Sequence, residues 1–334
     1  MEQKPANIVR LSINDTNVLK GLAILLMLIH HLFWVPNGLF DDVYLFQDRY
    51  LVNEIGIFSK LCVSLFIFLS GYGLFAKTEK DGGQIADLKS FYYRRFKKLY
   101  LNYWFVWLIF VPISVFYFGI TFEDAYGSNV CLNLAGDMLG IHDLLFTPVL
   151  CYNPSWWYYS CIIVMYLLFP VMYKLFKKDF ISLLLITIVL SFLPIPHSYS
   201  IRFYIVSFVL GMYAYSLPLP PQKNKYLSLV LLVTLCVCRN FNKYPLLIDS
   251  MIALSVFRCY QLFIVPGFIK SSFSFLGKHS MNIFLFHVFF LMWFKDYVFY
   301  FRNPILVLLV FFIACLVVSI VLERIKKYTL YKFC

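Results

Sequence analysis

His30 and His31 lie side by side in an apolar run that begins near residue 18, and His287 stands alone in NIFLFHVFF at 282–290. Imidazole changes charge near neutral pH, so these side chains can take and pass a proton where little else can. An ionisable group inside a membrane span costs on the order of 2.5–3.5 kcal/mol, and it calls for a partner, a wet cavity or a function. Lys20 precedes His31 by eleven residues. At 100° per residue that is three turns plus about 20°, which puts both on one helix face about 16 Å apart, with His30 about 100° away. In that arrangement Lys20 holds an anion at the membrane edge and His31 moves a proton deeper in. Packing histidines beside a snorkelling lysine are the competing account. His287 reads first as a satisfied structural histidine, with a part in the same chemistry as the alternative.

A second group is the basic run Arg94, Arg95, Lys97 and Lys98. Arg95 and Lys98 share a helix face, as do Arg94 and Lys97. Such a cluster grips phosphates, and simple anchoring at the cytoplasmic face accounts for it as well. Lys278, His279 and Arg202 read as interfacial anchors. Trp156, Trp157, Tyr158 and Tyr159 read as an interface belt or as a platform for a saccharide. The nine cysteines show no metal-ligand spacing, and no metal site is expected. Cys131 and Cys151 fall in or beside a polar connection and form a disulfide if that compartment is oxidising. Walker A, HExxH, GxSxG and dinucleotide patterns are missing, so ATP-driven transport, zinc hydrolysis and hydride transfer have no support.

The elements that must position these groups are transmembrane helices. The chain has 334 residues, 61% hydrophobic, 20% aromatic and 14% charged, far from the quarter charged of a soluble domain. Apolar runs near 18–35, 57–75, 100–119, 156–174, 180–194, 201–217, 226–239, 246–264, 279–294 and 304–322 suit a bilayer core about 30 Å thick. They are apolar on all faces, which disfavours a β-barrel. The expected fold is an all-α polytopic bundle of about ten transmembrane helices forming one domain over 1–334. The net charge of +12 reads as topology, without a nucleic-acid partner. Most Lys and Arg fall in one alternate set of connections, which places the N- and C-termini in the cytoplasm. The segment 120–155 lacks Lys and Arg, carries Glu123, Asp124, Asp137 and Asp143, and should be external; 133–150 suits an interfacial or re-entrant helix. No removable signal peptide is expected. Pro112, Pro170, Pro194 and Pro266 suggest kinks or helix ends.

Several ordered motifs then resemble membrane-bound acyltransferase family 3, bacterial enzymes that acylate carbohydrates. NVLKGLAILLMLIHH at 17–31 resembles the family's first-helix signature, an Arg and a His with ten residues between them, and lands on Lys20 and His31. LFIFLSGYGL at 65–74 resembles Phe-Phe-x-x-Ser-Gly and lands on Ser70 and Gly71. FYYRRFKKLYLNYW at 91–104 is similar to the Arg-x-x-Arg element and lands on Arg95 and Lys98. WWYYSCIIVMYLLFP at 156–170, FVLGMYAY at 208–215 and FLGKHSMNIFLFH at 275–287 resemble three later signatures in order. Lys20 and Lys98 stand where arginines are usual, which keeps the charge and loses the bidentate fork. Asn17 stands where an Asp is common.

The resemblance implies a stand-alone membrane enzyme of the bacterial inner membrane. It implies transfer of an acyl group, most often acetyl, from cytoplasmic acyl-coenzyme A to a hydroxyl of a polysaccharide or lipid-linked saccharide. Acyl-CoA is then a donor substrate, with no permanently bound cofactor, and membrane lipid surrounds the protein. Arg94, Arg95, Lys97 and Lys98 hold donor phosphates, and Lys20 stands near the pantetheine entrance. His31 takes the hydroxyl proton, directly or after carrying the acyl group; His30 orients it, and Ser70 and His287 support the site. A proton-coupled transporter or flippase, or a non-catalytic component of polysaccharide assembly, are the other functional classes.

Overall fold

The computed structural model describes residues 10–35, 38–46, 48–141, 144, 151–193, 199–241 and 245–329. Asp143, Pro148 and Pro194 lie outside the described residues. In chain order the elements are α1 (Ile13–Phe33), β1 (Tyr44–Phe46), β2 (Arg49–Tyr50), α2 (Leu51–Phe58), α3 (Leu61–Lys80), α4 (Leu88–Phe116), α5 (Phe122–Tyr126) and α6 (Val130–Leu139). They continue with α7 (Trp157–Lys178), α8 (Phe180–Phe192), α9 (Tyr199–Ser216), α10 (Lys225–Asn240), α11 (Pro245–Leu262), α12 (Gly267–Trp293), α13 (Lys295–Val298) and α14 (Pro304–Thr329). Every apolar run read from the sequence falls on one of these helices. Among the described residues, six helical stretches are long and apolar enough to cross a membrane: Ile13–Phe33, Leu51–Lys80, Leu88–Phe116, Pro154–Lys178, Gly267–Trp293 and Pro304–Thr329. Phe180–Phe192 and Ile201–Ser216 are shorter apolar helices. The expected prolines behave differently from one another: Pro112 and Pro170 sit inside α4 and α7 without ending them, and Pro266 immediately precedes α12.

The chain forms two compact units, each assembled from three segments. The first comprises Met1–Ala23, Leu61–Tyr93 and Cys161–Phe275. Apolar burial distinguishes helix faces weakly in lipid, so small residues that let backbones approach decide the packing. Gly71 of α3 and Gly211 of α9 do this reciprocally. A methyl group on Gly71 would overlap the Phe208 carbonyl, and one on Gly211 would overlap the Phe68 carbonyl. The Phe-x-x-Gly spacing in both helices is therefore the signature of one close crossing. Ser70, beside it, donates to the Phe66 carbonyl at 2.9 Å within its own helix. Arg239 and Asp249, both buried, form an ion pair that ties α10 to α11. α1 begins on a reciprocal cap, in which Asp15 N–H donates to Ser12 Oγ at 3.1 Å and Ser12 N–H donates to Asp15 Oδ2 at 2.9 Å.

The second unit comprises Ile24–Lys60, Arg94–Ser160 and Leu276–Cys334. Its core is aromatic. The Phe110 ring stacks on Phe286 and Trp293, with centroids 5.4 and 5.6 Å away, and joins α4 to α12. Trp156 and Tyr159 belong to this core, which corrects their reading as part of an interface belt or saccharide platform; Trp157 and Tyr158 are half-buried. Both are fully buried because their polar atoms find carbonyls. Trp156 Nε1 donates to Leu285 at 3.0 Å, and Tyr159 Oη donates to Leu99. His279 is corrected in the same way: it is buried, and its Nδ1 lies 2.9 Å from Ser319 Oγ, so it joins α12 to α14 and is not an interfacial anchor. Lys278 is exposed, as an anchor requires.

The connection between α1 and α3 holds structure that the sequence reading did not anticipate, a two-stranded antiparallel hairpin followed by α2. Asp42 accepts from the Val52 and Asn53 amides at 2.7 and 2.9 Å and so caps the start of α2. Of the expected interfacial or re-entrant segment at 133–150, residues 133–139 lie in a ten-residue helix, α6, which ends on Gly140 in the left-handed conformation at φ 65°, and 142, 143 and 145–150 lie outside the described residues. Cys131 and Cys151 are free thiols, the first exposed, and no disulfide joins them.

A histidine pair as candidate active site

The far end of α1 is fixed by α2. Asn53 Nδ2 donates to the Phe33 carbonyl at 2.9 Å, which satisfies one of the four carbonyls that a helix C-terminus leaves open. Gly56 lies directly against that terminus: a methyl group there would sit 2.5 Å from the Phe33 carbonyl carbon and 2.7 Å from the Trp34 nitrogen. Only glycine permits the approach, and it brings the Gly56 carbonyl within 2.9 Å of His30 Nδ1. A carbonyl can only accept, so Nδ1 carries the proton and His30 is held in one orientation.

His31 turns toward α12. Its ring meets that of His287 edge to face, with centroids 4.6 Å apart and planes at 61°, and it also contacts His30 at 5.2 Å. His287 is fully buried, whereas His30 and His31 keep partial exposure. His287 Nδ1 donates to the Phe284 carbonyl at 2.9 Å, with the Ile283 carbonyl at 3.2 Å. That bond fixes the tautomer and leaves Nε2 as a bare lone pair. Nε2 is buried and has no hydrogen-bond partner among the described residues. A buried acceptor left unmet costs about 1–3 kcal/mol, and a nitrogen with a lone pair can accept a proton or a hydroxyl hydrogen bond. Two imidazolium charges about 4 Å apart repel by roughly 4 kcal/mol at an effective dielectric of 20, so the pair is suited to share a single proton.

The basic run falls within α4 in the same unit. Arg94, Lys97 and Lys98 are exposed and Arg95 is half-buried. One turn further along, Asn102 Nδ2 donates to the Lys98 carbonyl at 2.9 Å and its Oδ1 accepts from Lys326 Nζ at 2.8 Å. Lys326 is 3% exposed, donates also to Asn282 Oδ1 at 2.5 Å and lies 5.2 Å from the Phe105 ring centroid. It was invisible as a special residue because it stands in a basic C-terminal run that reads as a topology signal. Lys20 and Ser70, the remaining candidates, lie in the first unit, where both are half-buried.

Asp137 of α6 was also missed. Tyr126 Oη donates to its Oδ2 at 2.8 Å, Trp107 Nε1 to the same atom at 3.4 Å, and Tyr103 Oη to its backbone carbonyl. Burial pushes its carboxyl up to about 6, against the opposing effect of the Tyr126, Trp107 and Tyr103 donors. Among the described residues no three His, Cys, Asp or Glu side chains converge to hold a metal ion.

Among the described residues six helical stretches are long and apolar enough to cross a membrane, and the second unit sets His31 against the buried His287. The acyltransferase-domain family model, acyltransferase family 3, matches residues 13–324, and the chain belongs to that family. It is a multi-pass membrane acyltransferase by its helices and its family together. No curated protein and no solved structure matches it.

Proposed function

We propose that this enzyme moves an acyl group, acetyl in the first instance, from cytoplasmic acyl-coenzyme A to a hydroxyl of a polysaccharide or its lipid-linked precursor. We place it in the bacterial inner membrane with ten spans and both termini in the cytoplasm. The observation that carries the reading is the unpartnered Nε2 of His287 held against His31. In the proposed step the acceptor oxygen attacks the thioester carbonyl carbon while His31 takes its proton. The carbon–sulfur bond breaks, and the coenzyme thiolate leaves and recovers that proton. His287 offers its lone pair to the N–H of His31, which turns the basic nitrogen of His31 toward the acceptor, and His30, held by Gly56, keeps that end of α1 in place. The exposed cations Arg94, Lys97 and Lys98, with Arg95, bind the donor phosphates, and Lys20 is a further donor-binding cation.

The test uses the full chain in lipid nanodiscs with acetyl-coenzyme A labelled in its acetyl group and a panel of glycans. Saturable transfer of label to a hydroxyl of at least one glycan is expected. No transfer to any glycan, together with movement of a solute driven by a pH gradient, would replace the enzyme reading with a transporter.

A further inference from the structure

The row of rings does not stop at His30. Trp34, the first residue past α1, keeps a helical hydrogen bond from its amide to the His30 carbonyl at 3.0 Å. Its indole lies beside the His30 ring, with centroids 5.8 Å apart and planes at 33°. Trp34 is 50% exposed, so one side of the indole is backed by an imidazole and much of the remainder is open. From there the contacts run inward through His30 and His31 to His287, with burial rising to completeness at the last. Trp34 stands three residues beyond His31 and four beyond His30, which is one helical turn, about 5 Å along the axis.

We propose that the open face of Trp34 is a stacking subsite for a sugar ring of the acceptor, and that it presents one ring hydroxyl to His31. The inference rests on the acyl-transfer reading above and adds the residue that selects the acceptor. A pyranose has an apolar face of C–H groups and an edge of hydroxyls, which matches an exposed indole one helical turn from two partly exposed imidazoles, His30 and His31. Its width is about one helical turn, so a ring lying on Trp34 brings a hydroxyl to the level of the imidazoles. A lipid acyl chain would use the indole but bring no hydroxyl to His31.

The experiment is fluorine NMR of the full chain in nanodiscs, carrying 5-fluorotryptophan at its six tryptophans. The Trp34 resonance is assigned by its loss in Trp34→Phe. The probes are a panel of methyl pyranosides, with glycerol as a hydroxyl-bearing control and short-chain phosphatidylglycerol as a lipid control. A saturable shift of the Trp34 resonance by at least one pyranoside, absent with glycerol, is the expected result. Silence across the pyranosides, an equal response to glycerol, or a response to the lipid alone overturns the subsite. Transfer of labelled acetyl from acetyl-coenzyme A to an added glycan in the same preparation keeps the two readings apart. Lost transfer with a sugar-sensitive Trp34 defeats the acyl-transfer reading only, and retained transfer with a silent Trp34 defeats the subsite only.

Discussion

His31 and His287 come from the first and the twelfth helix and place their imidazoles 4.6 Å apart between centroids, with the inner nitrogen of His287 left unmet. One ring is locked by its own helix carbonyls and the other is free to respond to what binds. His31→Ala should therefore lower acyl transfer by about 10²–10⁴-fold, the usual contribution of a positioned proton acceptor. His287→Ala should also lower kcat while leaving the donor KM within about twofold, because it removes the lone pair without touching the basic run. Initial rates at varied acetyl-coenzyme A decide this. Full turnover by either variant would remove the pair from the mechanism.

Gly56 governs how closely α2 seats against the end of α1. In Gly56→Ala the added methyl meets the Phe33 carbonyl carbon at 2.5 Å, so α2 must retreat and the His30 Nδ1 to Gly56 carbonyl bond lengthens. Overpacking of this kind costs about 1–3 kcal/mol. The expected outcome is a lowered melting temperature with a fall in kcat larger than any rise in donor KM. Unfolding alone lowers apparent kcat only in proportion to the folded fraction, so a fall in kcat no greater than the loss of folded protein would reject a displaced His30.

Lys326 is a buried cation met by neutral groups, the Asn102 and Asn282 oxygens and the Phe105 ring. Lys326→Met removes the ammonium and leaves two buried amide oxygens open, at about 1–3 kcal/mol each where no water enters. The double variant Lys326→Met with Asn282→Leu should recover part of that loss, since an apolar pair leaves fewer unmet groups than a broken polar one. Thermal unfolding of both in one detergent tests it, and a double variant no more stable than Lys326→Met alone rejects the assignment.

The legible part of this molecule was what hydropathy and spacing encode. Each of the ten apolar runs fell on helix, six of them in stretches long and apolar enough to cross a membrane, and the eleven-residue step from Lys20 to His31 fell on a single helix, because a membrane span must satisfy its backbone internally and so has one regular form. Contacts between distant segments were not legible. The His31–His287 contact joins positions remote in sequence, and nothing local in NIFLFHVFF distinguishes a structural histidine from a functional one. Trp156 and Tyr159 were misjudged because aromatic residues near a span end suit an interface belt, and only the carbonyls of Leu285 and Leu99 reveal them as core. Asp137 was counted as an external charge, since its burial depends on Tyr126 and on α4, which the sequence could not bring to it.

That carboxyl supplies a pH test. Burial raises Asp137 to about 6, whereas in the unfolded chain it returns to the ordinary carboxylate value near 4. Between those limits the folded protein holds a proton that the unfolded one releases, so stability falls as pH rises through this window and levels off above it. A difference of two units corresponds to about 3 kcal/mol. Asp137→Asn keeps an acceptor for Tyr126 and Trp107 and cannot ionise, so it should cancel this component. The wild-type melting temperature should therefore decline from pH 4 to pH 6.5 more steeply than that of Asp137→Asn, and the variant should be the more stable of the two at pH 7. Parallel curves would mean that the carboxyl is ionised without penalty, and that the three donors around it outweigh its burial.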